Sequence, residues 1–526
     1  PYPKFLSYPK QDLEGCLEYL FKDLQGSKII NIILDIDKNL QQNSKIFDIL
    51  LNLDGNEQID CYITGLNPQK LMEGCYTLLY RLGIRWYFPC ESCYFLRSYK
   101  KFPIDLFAKN GVDNRTHIIE NPSFNKRGVV LFDNNDIYED WLKFLIRNRM
   151  NYIGLHSEQG LEKAKTIIEN FGINVSLEKH VFKRKICSQD RQEFEQAIEN
   201  INKLLPRIPE SHYSRLKNIK ELYLWLADSM IKKCKCDRHK AMSASETYLD
   251  FVNHAIKSIN QSMETVTINM CYLAYLGSFE KVEKIRPNSN VILEIAPIHR
   301  CFSHNLYDSN CKINKIEVSS VIKSLCEVFK DNDKQVLGYW LDSSLFGRFE
   351  FQAFGWALKY NQGRIPHIPF IMQEDLKFYK EHKVDSIMTF AAGINSQYLA
   401  KFTSPMIFLF TELLWNVKLD LKTEMADFCR YYLKMPDFLQ QFNQDERIDP
   451  KDLSRAEFKK FITSWETKKK DLIRKRKGRQ YQINDKILDK LIEEANFIQR
   501  WRKRYFLTKI FSYFQRLIFK ISKKLS

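Results

Sequence analysis

NPSFNKRGVVLF (Asn121 to Phe132), followed by FLIRNRMNYIGLHSE (Phe144 to Glu158), sets the pattern of the central region of the chain. From about Arg127 a short apolar strand gives way to a polar loop and a helix, and the next strand then begins. The unit recurs. Strand-like runs are GVVLF (128–132), NYIGLH (151–156), INVSLE (173–178), LYLWLA (222–227), VTINMCYLA (266–274), NVILEIAP (290–297), VLGYWLD (336–342) and DSIMTFAA (385–392). Strands alternating with helices indicate a parallel sheet with crossover helices. Eight in order predict a (β/α)8 barrel whose chemistry sits where the strands end. The helix in KFTSPMIFLFTELLWNV (401–417) would close the ring.

Upstream, SKIINIILDID and EQIDCYITG are β-rich, and PQKLMEGCYTLLYRLG is an amphipathic helix ending at Gly83, before RWYFP supplies aromatic bulk and a proline stop. The 526 residues exceed what one core usually organises. The expected division is a small α/β domain over 1–120, the barrel over 121–435 and a basic helical extension over 436–526.

The basicity is concentrated at the end of the chain. Residues 451–526 hold 23 Lys and Arg against 8 Asp and Glu, while residues 1–450 hold 58 against 56. In the last 30 residues aromatic and aliphatic side chains recur every three or four positions among the cations. Such a segment, 496–526, suits an anionic membrane surface or packs as a helix on the barrel. Nucleic acid is the weaker partner, because no reading motif accompanies the charge. Thirteen cysteines without a framework spacing read as reduced thiols and favour a cytosolic setting, with peripheral membrane contact through the tail. There is no charged start followed by an apolar leader segment, and no run of about 18 apolar residues long enough to span a bilayer.

Glycoside cleavage usually needs two carboxyl groups, about 5 Å apart for retention and roughly 6.5–9.5 Å for inversion. Strand-end acids are Glu158, Glu178, Asp228 and Asp342, with Glu350 eight residues beyond the last; Glu294 lies inside a strand. Asp228 and Asp342 are the preferred pair, since both end strongly apolar strands flanked by aromatic residues (Trp225, Tyr339, Trp340) able to stack on a sugar. Either could instead cap the following helix. Glu350 is the reserve acid, with Phe346, Phe349 and Phe354 to keep it protonated by desolvation. His156, His180 and His304, near the ends of strands two, three and six, can bond sugar hydroxyls. Tyr275 and Arg300 would complete the pocket, Arg300 by gripping a carboxylate or sulfate.

CKCDRH (Cys234, Cys236, His239) carries metal-binding residue types, with Cys301, His304 and Cys311 as completing ligands. Its spacing differs from the common zinc knuckles, so structural zinc is the minor reading beside buried thiols or a loop near the active-site mouth, and no metal or cofactor is expected. No GxxxxGK[ST], GxGxxG or GxSxG motif is present, so nucleotide-dependent and serine-hydrolase chemistry lack support.

RLGIRWYFP, NPSFNKRG and RNRMN, together with LWLADSMIKKCKCDRH, SASETYLDFVNHA, IHRCFSHNLYDSNCKIN and MADFCRYYL, resemble the bacterial family known as domain of unknown function 4838, a relative of glycoside hydrolase families 20 and 67. The resemblance covers roughly residues 60–435. It implies an N-terminal α/β domain like those preceding hexosaminidase and α-glucuronidase barrels, and then the barrel. It also implies that Arg127, of an RG pair at the end of the first barrel strand, binds a sugar hydroxyl; the alternative is an arginine anchoring the interdomain loop through carboxylates. The adjacent Asp-Glu pair of hexosaminidases is absent, since Asp228 is followed by Ser229. The expected function is a glycoside-hydrolase-like protein acting on a bacterial polysaccharide or oligosaccharide. The alternative is an inactive carbohydrate-binding protein on a hydrolase frame.

Overall fold

A computed structural model describes residues 3–496 and 499, apart from 23–28, 44–45, 55–57, 91–93, 97–107, 110–114, 119, 133–134, 184–185, 210–218, 229–233, 346–364, 366, 437–453 and 479–485. Glu350 with its phenylalanine neighbours, and the tail beyond residue 499, lie outside the described residues.

Eight parallel strands close into a barrel in sequence order: β1 (Lys126–Leu131), β2 (Tyr152–Leu155), β3 (Asn174–Phe182), β4 (Ile219–Leu226), β5 (Thr267–Ala274), β6 (Val291–Ile295), β7 (Lys334–Gly338) and β8 (Ser386–Phe390). β8 pairs back onto β1, with Ser386 opposite Lys126 and Phe390 opposite Val130. All eight anticipated strands form. Their apolar runs are long because parallel strands are covered on both faces. The side chains alternate between the interior and the surrounding helices, so β3 turns Ser176, Glu178 and His180 to one face. Gly154 on β2 leaves room for that face: a Cβ there would stand 3.0 Å from the Glu178 carboxyl.

Before the barrel, a five-stranded mixed sheet is ordered 29–36, 58–65, 47–54, 115–118, 108–109. Helix Pro68–Arg81 packs on it, begun by Asn67, whose side chain accepts from the Lys70 amide at 3.0 Å. It ends at Gly83 in a left-handed conformation (φ 87°) that suits glycine. Glu73 of this helix projects to the N-terminal end of the barrel. The expected closing helix forms as Met406–Trp415, buried throughout, and its last carbonyls accept from Ser123 and Phe124 just before β1.

Two helices, Arg455–Gly478 and 486–496, follow the barrel. Phe458, Ile462, Trp465 and Leu472 of the first and Leu488, Leu491 and Ala495 of the second are buried. The described part of the basic extension therefore packs as folded helix. No helix among the described residues is long and apolar enough to cross a membrane, and no disulfide joins described cysteines.

Candidate active site

At the C-terminal end of the barrel a cavity opens, lined by Phe132, His156, His180, Trp225, Asp228, Tyr275, Tyr339, Asp342, Ser344 and Phe390 over a floor of aliphatic residues. Its non-atom space is about 560 Å3, open solvent at the mouth included. Five expected site residues, His156, His180, Asp228, Tyr275 and Asp342, meet here.

The wall is mostly aromatic. Tyr339 stacks on Phe390 at 5.6 Å, Trp225 lies 5.1 Å from the His180 ring and 6.3 Å from Phe390, and Phe132 meets His156 edge-on at 5.2 Å. Each histidine bonds the backbone of the next strand. His156 Nδ1 lies 2.7 Å from the Glu178 carbonyl, and His180 Nδ1 bonds the Leu226 carbonyl. A carbonyl only accepts, so Nδ1 carries the proton in both rings and Nε2 keeps its lone pair. Burial holds the His156 pKa below the usual imidazole value, which keeps it neutral.

The two acids differ. Asp228 is exposed and its Oδ1 accepts from the Tyr275 hydroxyl at 2.9 Å. Asp342 is buried, and its Oδ1 accepts from the Ser344 hydroxyl at 2.6 Å and the Leu345 amide at 3.0 Å. The capping role weighed for these aspartates is thus real for Asp342, which also lines the cavity.

Beneath the floor lies a layer that sequence reasoning placed differently. Glu178, expected at a strand end, is fully buried inside β3 and faces Glu294 of β6. Glu294 accepts from the Trp225 indole at 2.6 Å and from Gln335 at 2.7 Å. Burial pushes both carboxyls up, and for Glu178 the charge of Glu294 adds to the shift. This pair supports the cavity floor through Trp225. Glu158 is on the outer rim, bound to Lys179 and Arg207.

Four expected binding residues lie outside the cavity. Arg127 is the second residue of β1, at the opposite end of the barrel, and is completely buried. All five of its N–H groups are occupied: Nε and Nη2 by the Arg149 carbonyl, Nη1 by the carbonyls of Phe124 and Asn125, and Nη2 also by Glu73 at 2.8 Å. No donor remains for a sugar, and the interdomain anchor is what this arginine forms. Trp340 turns outward, next to inward-facing Tyr339, and packs on Phe410 and Tyr379. Arg300 is paired with the buried Asp375 and donates to the His304 carbonyl at 3.0 Å, so its carboxylate comes from the chain itself. The His304 ring lies 3.1 Å from Cys301 Sγ, grouped with Cys311.

Reasoning from sequence missed Phe132, Phe390 and Ser344 as lining residues. For Phe132 the signal was there: Gly128, Val130 and Phe132 share one face of the first strand. It also missed Cys187, which the loop after β3 brings to Cys234, Cys236 and His239; the completing ligands expected from Cys301, His304 and Cys311 form a separate group.

A family model described as domain of unknown function DUF4838 matches residues 111–443. The chain belongs to this family. Among solved structures, a family GH115 4-O-methyl-α-glucuronidase with specificity for decorated arabinogalactans is similar, with a TM-score of 0.55 at 10% identity, covering 98% of this chain and 74% of that one. A family 89 glycoside hydrolase from Clostridium perfringens gives a TM-score of 0.47 at 11% identity over 94% and 60% of the two chains. A GH20 exo-β-N-acetylglucosaminidase from Vibrio harveyi gives 0.41 at 11% over 85% and 74%. No curated protein matches. At these identities the likeness is one of fold: this DUF4838 chain has the glycoside-hydrolase-like barrel.

Proposed function

We propose that this DUF4838 protein cleaves O-glycosyl bonds in a polysaccharide or oligosaccharide, bacterial in origin, bound in the cavity at the C-terminal end of its barrel. The observation that carries the reading is the meeting of Asp228 and Asp342 in one aromatic-walled cavity. Their loops follow β4 and β7, three strands apart around a ring of eight. A sugar ring stacked on Tyr339, Phe390 or Trp225 sits between two carboxyl groups, the arrangement glycoside hydrolysis needs. Tyr275 orients the Asp228 carboxyl by donating to Oδ1, and the Nε2 atoms of His156 and His180 accept from ring hydroxyls. Asp228 is the reacting acid or base; Asp342, tied to the turn by one oxygen, is its partner across the bond.

A second reading has its own support. Asp342 holds its turn together, and Asp228 lacks the adjacent acid of hexosaminidases, which fits a barrel that binds glycan without cleaving it. Incubating the protein with a panel of bacterial surface polysaccharides, read by mass spectrometry for released oligosaccharides, separates the two. Cleavage lost in Asp228→Asn, with unchanged thermal unfolding, supports the hydrolase. Retention on glycan affinity gels without products supports the binding protein. Cleavage that survives both Asp228→Asn and Asp342→Asn refutes the assignment of these acids.

A further inference from the structure

We propose that Cys187, Cys234, Cys236 and His239 bind one Zn2+ ion in a closed structural site that ties the loops after β3 and β4 together. The inference is independent of the reaction proposed above.

The four ligand atoms lie within 4.8 Å of one another. Two thiolates on a tetrahedral zinc, each about 2.3 Å from the metal, stand about 3.8 Å apart, and a thiolate and an imidazole nitrogen about 3.5 Å. Cys187 Sγ and Cys236 Sγ are 3.8 Å apart, and His239 Nδ1 is 3.5 Å from the first and 3.3 Å from the second. The sulfurs and the nitrogen are thus spaced as ligands of a common centre. They are not paired off as two disulfides, which four groups including a histidine cannot form.

The histidine is also oriented for metal. Its Nε2 lies 2.9 Å from Asp250 Oδ2, so the proton resides there and the Nδ1 lone pair faces the sulfurs. Asp250, on helix Ala244–Gln261, is fixed in turn by Arg238 and Ser188. A carboxylate behind a ligating imidazole sets its tautomer and raises its basicity. His239, Cys187 and Cys234 are buried and Cys236 is half-buried. Four protein ligands with little solvent access mark a structural site, without the open position that catalytic zinc keeps. Three thiolates and an imidazole favour zinc over the hard cations that prefer oxygen. On binding, the three thiols lose their protons to solvent and three S–Zn bonds and one N–Zn bond form.

The site explains a spacing that is otherwise unhelpful. CKC leaves a single residue between two cysteines, and Cys187 comes from a loop 47 positions upstream of Cys234. The ion therefore cross-links two barrel loops. Asp228 stands six residues before Cys234, and His180 seven before Cys187, so each cross-linked loop leaves the barrel from a cavity-lining residue.

The test uses the full chain, purified under reducing conditions, stripped with a chelator and titrated with Zn2+ against a chromogenic chelator, with total metal measured by mass spectrometry. One zinc per chain is expected. Cys236→Ser and His239→Asn should weaken binding at least tenfold, and Asp250→Asn, which among the four ligands touches only the histidine, by about 10–100-fold. A Cys301→Ser, Cys311→Ser double variant should keep its zinc. Should a ligand variant fail to fold, X-ray absorption of the zinc-loaded wild type still decides: three sulfurs at about 2.3 Å and one nitrogen at about 2.0 Å are expected. No zinc bound by the reduced wild type, a two-sulfur shell, or loss of zinc only in the Cys301, Cys311 variant would each overturn the proposal.

Discussion

The two ends of the barrel are built on opposite principles. At the N-terminal end, buried arginines meet buried carboxylates: Arg127 with Glu73, Arg149 with Glu412 and Arg85 with Glu424. These pairs join the first helix-bearing domain, the base of the barrel and the helices that follow it. At the C-terminal end the cavity wall is aromatic and weakly charged, and its polar groups, Asp228, Tyr275, His156 and His180, retain capacity toward solvent or ligand. RLGIRWYFP, NKRG and RNRMN, three of the segments on which the resemblance rests, contribute to the first end. In this fold the base serves stability and the strand-end loops serve chemistry. These three motifs therefore report on how the molecule is held together.

Substitutions at the two ends should separate cleanly. The largest effect is expected from Asp228→Asn, which should lower turnover of a cleaved glycan by about 10²–10⁴-fold while shifting denaturant unfolding by under about 0.5 kcal/mol. Arg127→Met should do the reverse. It leaves the buried Glu73 to Lys70 alone, although its low pKa depends on the charges of both Lys70 and Arg127 set against its burial, and should cost about 3–5 kcal/mol in chemical unfolding, with glycan binding per folded molecule intact. If Arg127→Met abolished glycan binding at unchanged stability, the division between the ends would fail.

A third effect concerns the layer between them. Glu178 and Glu294 have raised pKa values in the folded state, so the folded protein holds its protons more tightly than the unfolded chain. Stability is then fullest below the unfolded carboxyl pKa, and is lost as the pH rises from there through the raised values. Glu178→Gln removes one titrating group. Its stability relative to wild type should climb between pH 5 and pH 9, by about 1.4 kcal/mol per unit of pKa elevation, as read from urea unfolding across that range. A flat difference would show that the pair is not strained by charge. The smallest effect is expected for Tyr275→Phe: loss of one solvent-exposed hydrogen bond to the Asp228 carboxylate, about 1.5 kcal/mol, the lower end for a bond to a charged group, or roughly a tenfold fall in kcat at unchanged stability.

The barrel was legible because each strand is a compact apolar run between polar loops, and Asp228, Asp342, His156, His180 and Tyr275 were legible because they follow those runs directly. What escaped depended on parity and on distance along the chain. Tyr339 and Trp340 look equivalent in sequence, yet successive residues of an extended strand face opposite ways, and only Tyr339 reaches the cavity. Arg127 sits one turn of the same logic away: its motif marks the start of β1, so its side chain belongs to the base. Glu178 was taken for a strand end because β3 runs four residues further than its apolar core. Cys187 carries no local pattern; only the folding of two separate loops makes it a neighbour of CKCDRH.

The backbone bonds of the two cavity histidines also fix what kind of guest the site can greet. With both Nδ1 protons given to carbonyls of neighbouring strands, each ring offers its guest a lone pair, as do the carboxylates of Asp228 and Asp342. No lysine or arginine stands among the described lining residues. Among the described residues the wall is thus rich in acceptors, and a molecule that settles there is expected to bring hydroxyl protons of its own.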